Sequence, residues 1–270
     1  MITPKIISSL ILLTLISIHN VFGQSNNGSP FKIDFGTEAV IIGTGAVTGT
    51  IALLMFLNAE PLTSNQIADL DIKAVNSFDR AAIGPYGEDY IGDVLQYTTY
   101  LLPLTFLANE DTRKDFGDLA LMYGEVLLIN TSINTIVKVV SSRVRPYVYD
   151  EQTSLEQKMI KDAKLSFYSG HTSNTASICF FTASVFNEYL TNSTTKSFIW
   201  GAAALIPAIT GFSRFNTHWH FPTDIIVGYI VGAAIGYLIP LIHKRDSDNN
   251  IQANPTNNLY KPLIGFQIKL

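Results

Sequence analysis

Six long apolar runs separated by polar connections restrict the fold of this chain more than any other feature. They fall at about 39–57, 91–108, 119–140, 172–190, 198–212 and 225–242. A helix needs roughly 20 apolar residues to cross the hydrocarbon layer of a bilayer, and several of the runs approach that length. The last, IIVGYIVGAAIGYLIPLI, contains no charge, and its glycines and alanines suit close helix–helix approach in lipid. None of the runs alternates with the period of two that a half-buried strand requires. The reading is therefore an all-α, antiparallel helical bundle with about six transmembrane helices. Only 15% of the residues are charged, against about a quarter in an ordinary soluble domain. Glu125, Asn130 and Asn134 interrupt the third run, and Asn174 and Thr175 the fourth. Polar residues within spanning helices belong on the bundle interior.

The flanking segments differ in character. Residues 1–23 place a lysine ahead of an apolar stretch of signal-peptide length and read as an export signal cut near Gly23, or as a retained anchor. Residues 24–245 then form one helical domain with its core at 119–242, and 246–270 form a polar tail without an assignable structure. The net charge of −4 and the lack of a long basic block give no footprint for a nucleic-acid partner. Cys179 is the single cysteine, which excludes a disulfide or a cysteine-built metal site within one chain.

Ionisable chemistry gathers in three short stretches at helix ends. In KVVSSRVRP, Lys138 and Arg145 are seven residues apart. On a continuous helix that spacing brings two cations to within about 20° of the same face, and Pro146 marks where the helix should stop. In SFYSGHTSN, Ser169 reads equally as a plain N-cap, with Gly170 giving the turn, or as the opening of an anion site beside His171. In GFSRFNTHWHFPTD, His220 and Asp224 are one turn apart, so the carboxylate can orient the imidazole or merely complement the helix dipole. Arg214 opens the same stretch, and His218 reads as a neighbour only. An antiparallel bundle brings all three stretches to one end.

These residues resemble the signature of the type 2 phosphatidic acid phosphatase and vanadium haloperoxidase superfamily. The signature runs Lys, six residues, Arg-Pro; Pro-Ser-Gly-His; and Ser-Arg, five residues, His, three residues, Asp. Lys138, Arg145 and Pro146 match its first part. Ser169, Gly170 and His171 match the second, with Tyr168 in place of the usual proline. Ser213, Arg214, His220 and Asp224 match the third. The resemblance implies a phosphatase acting without metal or other cofactor. In it, Lys138, Arg145, Arg214, Ser169 and Gly170 bind the phosphate, His220 is the nucleophile, Asp224 orients it and His171 is the general acid and base. The apolar runs make a phosphorylated membrane lipid the expected substrate, such as phosphatidic acid, phosphatidylglycerol phosphate, a polyprenyl diphosphate or lipid A. A soluble exported acid phosphatase, a vanadate-dependent haloperoxidase and a non-catalytic scaffold are the competing readings.

Arg113, Lys114, Lys244 and Arg245 lie at the opposite helix ends. By the excess of basic residues on cytoplasmic loops, the motif end is expected to face the periplasm from a bacterial inner membrane. A cleaved signal followed by six full crossings would place that end in the cytoplasm instead.

Overall fold

The computed structural model describes residues 28–245; the expected signal, 1–23, and tail, 246–270, lie outside the described residues. Six passes run between two ends of a helical bundle. They are α1 (Phe35–Asn58), α2 (Tyr90–Thr99), α3 (Phe116–Ser141), α4 (Gly170–Tyr189), α5 (Ser193–Asn216) and α6 (Pro222–Ile242). The second pass is completed by a 3₁₀ segment, Leu102–Ala108, that begins around Pro103. Among the described residues the only strand-like pairing is an isolated bridge between Phe31 and Lys244, which ties the segment before α1 to the end of α6. The motif stretches occupy the other end.

Helices α1, α3, α5 and α6 are long and apolar enough to cross a membrane. The other two of the six passes differ for physical reasons. Proline removes a helical hydrogen-bond donor and clashes with the preceding turn, so the second pass changes to 3₁₀ geometry where Pro103 enters. Helix α4 is wrapped by α2, α3, α5 and α6, and residues such as Thr172, Thr175, Cys179 and Phe181 are buried along its length. A helix shielded by other helices needs no apolar exterior, which explains its serines and threonines. The outer helices present the converse pattern. Phe198 is 77% exposed, Val40 68% and Phe212 62%. Contiguous apolar surface on this scale is what a bilayer covers, and the chain is a membrane protein.

The polar residues flagged in the third and fourth runs face inward. Asn130 donates to Asn174 at 2.7 Å and accepts from Ser173 at 2.7 Å, while Asn134 donates to the Tyr168 carbonyl at 3.0 Å. These bonds pin α3 to α4.

The contact between α4 and α6 decides where the motifs meet. Gly228, Gly232 and Gly236 face the backbone carbonyls of Ser169, Ser173 and Ser177. Both series advance by four, so the two helices run parallel and both N-termini arrive at the motif end. A Cβ on Gly232 would collide with the Ser173 carbonyl, whereas Gly124 has open space beside it. We expect Gly232→Ala to lower the melting temperature despite its better helix propensity, because overpacking against backbone costs about 1–3 kcal/mol. Gly124→Ala should hold or raise it, by up to about 1 kcal/mol. Equal melting of the two variants would contradict this packing.

Candidate active site

The end of α3 sets the first part of the site. The helix stops at Ser141, and Ser142 takes a left-handed conformation with φ of 43°. Arg145 lies beyond it in extended backbone, with φ −73° and ψ 153°. The expected helical alignment of Lys138 and Arg145 is thus corrected: the chain leaves the helix before Pro146, and a turn brings the two cations together. Lys138 Nζ donates to the Leu165 carbonyl at 2.7 Å. Arg145, 3% exposed, donates to the Asp162 carbonyl at 2.8 Å, the Asp162 carboxylate at 2.8 Å and the Trp219 carbonyl at 2.9 Å.

Ser169 is the N-cap of α4, its Oγ accepting from the Thr172 N–H at 3.4 Å. Its own N–H donates to the Asp224 carbonyl at 3.0 Å, so that backbone donor is already engaged. Gly170 does not supply a left-handed turn, since no glycine among the described residues has positive φ. It is required by close approach: a Cβ would stand 3.0 Å from Asn134 Oδ1 and 3.6 Å from Lys138 Cε.

The third stretch completes the cluster. Arg145 NH1 lies 3.0 Å from His220 Nε2. An arginine can only donate, so Nε2 carries a lone pair and the proton of the neutral ring sits on Nδ1. That nitrogen faces Asp224 Oδ2 at 3.5 Å, an ion-pair separation rather than a tight hydrogen bond. Burial first, then the cationic Arg145, Lys138 and Arg214, hold the His220 pKa well below its usual value, which keeps the ring neutral. Asp224 is fully buried. It accepts from Ser166 Oγ at 2.6 Å, from the Phe221 N–H at 3.0 Å and from Arg143. His218 turns away, its Nδ1 2.9 Å from the Ala82 carbonyl.

Several contributors lie outside the motif. Arg143 joins Asp224 to Asp79, the latter at 2.7 Å, and Asp79 also accepts from the Thr223 N–H at 3.0 Å. Burial would raise the Asp79 carboxyl, but the bonds from Arg143 and Thr223 outweigh it and hold the group below the usual carboxylate range. Trp219 stacks beneath two cations, with Arg145 4.8 Å and Arg214 5.3 Å from its ring. Asp89 and Asp93, one turn apart at the start of α2, pair with Arg214, Asp89 at 3.0 Å. Asp93 also meets His171 Nε2 at 2.9 Å. A carboxylate only accepts, so this nitrogen carries a proton. The i, i+4 spacing of Asp89 and Asp93 is the one sequence signal that could have exposed them, and it does not name their partner.

A cavity of about 270 Å³ opens beside this cluster, lined by Lys138, Arg145, Gly170, His171, Asp162 and Trp219 among others. Arg214 and His220 lie behind its wall, 3% and 1% exposed. All five cationic and imidazole residues named from the sequence therefore converge at one end of the bundle, together with Ser169, Gly170 and Asp224. Asp93 occupies the position between Arg214 and His171 where an anion would compete. Asp93→Asn should strengthen inhibition by orthovanadate about tenfold, equivalent to about 1.4 kcal/mol. An unchanged inhibition constant would show that Asp93 does not compete for the cradle.

Residues 119–248 match the family model of the PAP2 superfamily. A stretch of 80 residues is 36% identical to the lipid A 4'-phosphatase of Porphyromonas gingivalis, covering 29% of this chain and 30% of that protein. The match thus spans less than a third of that relative's length. Among solved structures, the crystal structure of a transmembrane PAP2 type phosphatidylglycerolphosphate phosphatase from Bacillus subtilis aligns at 18% identity. It covers 92% of this chain and 98% of that one with a TM-score of 0.42, a likeness too loose to refine the fold.

Proposed function

The chain belongs to the PAP2 superfamily through residues 119–248, and from that premise we propose that it is a membrane phosphatase that removes a terminal phosphate from a lipid. One observation carries the reading. The cavity beside the cationic cluster shares Phe56 and Thr135 with an apolar groove of about 720 Å³ between α1 and α3. A lipid can keep its chain in that groove while its phosphorylated head reaches Lys138 and His171. The local identity to a lipid A 4'-phosphatase supports a phosphorylated lipid head group. The exposed apolar belt weighs against a soluble phosphatase of the same superfamily. We place the protein in a bacterial inner membrane with this end towards the periplasm, as the basic residues at the far end suggest.

The chemistry follows from the groups present. The substrate phosphate displaces Asp93 from Arg214 and draws Arg145 from His220 Nε2, exposing the lone pair. Lys138, Arg145 and Arg214 balance the charge on the equatorial oxygens. The first-turn N–H groups of α4 at Gly170 and His171 lie at a helix N-terminus suited to the same anion, and the Ser169 hydroxyl orders that turn. The negative charge of the bound phosphate lets His171 enter the step as the imidazolium. His220 Nε2 forms a bond to phosphorus as the ester P–O bond breaks, and the leaving alkoxide takes the proton of His171 Nε2, leaving that ring neutral. Asp224 balances the charge of the phosphohistidine. His171 then removes a proton from water, whose oxygen bonds to phosphorus while the P–N bond breaks. Inorganic phosphate departs and both imidazoles return to their starting states.

Two outcomes test the scheme in detergent–lipid micelles. His171→Ala should slow hydrolysis of an alkyl phosphate about 10²–10⁴-fold and that of a nitrophenyl phosphate far less, because the latter leaves without a proton. Equal losses on both would remove His171 as the acid. Thr135→Phe should reduce kcat/KM for a long-chain phosphatidic acid at least tenfold while sparing a soluble aryl phosphate. Parallel losses would contradict the groove as the lipid's seat. Turnover well below the melting temperature should survive EDTA.

A further inference from the structure

Three ionisable side chains that the phosphatase reading leaves unused meet at the opposite end of the bundle. They are Glu38 in the first turn of α1, Glu125 within α3 and His243 at the C-cap of α6. Each is essentially closed to solvent, at 1%, 2% and 2% exposure. Glu125 is also the charged residue that interrupts the third apolar run. It lies 13 residues before Lys138 on the same helix, about 20 Å away.

The hydrogen bonding of this trio leaves three buried carboxyl oxygens without a partner. His243 Nδ1 lies 2.8 Å from the Ile239 carbonyl. A carbonyl only accepts, so Nδ1 carries a hydrogen and Nε2 is the ring atom turned towards the two glutamates, holding either a proton shared with Glu38 or a lone pair. Nε2 stands 2.8 Å from Glu38 Oε1 and 3.4 Å from Glu125 Oε2. Neither oxygen of Glu125 has a hydrogen-bond partner, nor does Glu38 Oε2. Two carboxyl groups and this nitrogen thus converge in a closed space, and among the described residues no lysine or arginine pairs with either glutamate, so the positive charge there comes from a proton on His243 or from a bound cation. Buried charge without compensation is strongly unfavourable.

The spacing suits a metal ion. The candidate ligand atoms all lie within 4.8 Å of one another. Tetrahedral ligand atoms at about 2.0–2.2 Å from an ion are about 3.4 Å apart, which the His243–Glu125 pair already matches and the His243–Glu38 pair approaches. One imidazole with two carboxylates is a donor set for Zn²⁺ and its first-row neighbours rather than for a soft ion. The Nδ1–H bond to a backbone carbonyl is the outer contact that fixes a metal-ligating histidine. We propose that Glu38, Glu125 and His243 bind one divalent transition-metal ion of the Zn²⁺ class, which ties α1, α3 and the end of α6 together. The ion is structural, because α6 spans 21 residues between the two ends, about 31 Å.

The test uses the full chain in detergent, stripped with EDTA and then given Zn²⁺. After gel filtration, mass spectrometry should find one Zn²⁺ per chain, and the melting temperature should rise by several degrees over the stripped protein. Glu125→Gln and His243→Gln should each lose the retained ion while keeping phosphatase activity at low temperature. That activity is the separate readout of the phosphatase reading, whose failure would leave the metal result standing. Identical melting in EDTA and Zn²⁺ with no retained metal would overturn the site in favour of protons bridging the three groups. Undiminished retention in both variants would overturn it by placing the ion elsewhere. Because the wild-type melting comparison needs no substitution, misfolding of a variant leaves the proposal open to refutation.

Discussion

Asp224 is the interaction on which the motif end depends. Its buried carboxylate gathers the Ser166 hydroxyl, the Phe221 N–H and the Arg143 guanidinium, and its backbone carbonyl takes the Ser169 N–H. These partners come from the end of α3, the connection before α4 and the start of α6. One side chain thus fixes three segments that are distant in sequence, and it does so 3.5 Å from His220 Nδ1. A carboxylate so fully bonded is held in one orientation. It therefore sets the tautomer of the imidazole by charge and position without a short bond to it.

The rest of the site is a balance of charges around that anchor. Three cations stand close together in a buried setting, and each is offset by an acceptor. Asp162 pairs with Arg145, Asp89 and Asp93 pair with Arg214, and the Leu165 carbonyl takes Lys138. Trp219 gives both arginines an aromatic floor. Of these partners Asp93 and Asp162 are the more exposed, at 46% and 45%, and can yield their places to an anion. The parallel seam of glycines and serines between α4 and α6 brings both helix N-termini to the motif end.

Much of this was legible in the sequence because fixed spacings carry it. Lys138, Arg145, Ser169, Gly170, His171, Arg214, His220 and Asp224 were identifiable by order and interval, and the six runs gave the helical bundle. What escaped has physical causes. The left-handed Ser142 ends α3 early, and a serine carries no special preference for that conformation. Of the acids that offset the cations, Asp162 sits in a short 3₁₀ turn where no periodicity assigns a face, and Asp89 and Asp93 share one face of α2 without naming their partner. The 3₁₀ completion of the second pass depends on how Pro103 meets its neighbours. The trio of Glu38, Glu125 and His243 is assembled from three helices, its outer members 205 residues apart, a distance no local pattern spans.

The central claim, that this convergence makes His220 a nucleophile, is tested most directly by rapid quenching with a ³²P-labelled phosphatidic acid followed by peptide mapping. The account predicts an acid-labile, base-stable phosphoryl group on the peptide carrying His220, formed within one turnover and absent from His220→Ala. Hydrolysis at the wild-type rate by His220→Ala, or label on another residue, would contradict it.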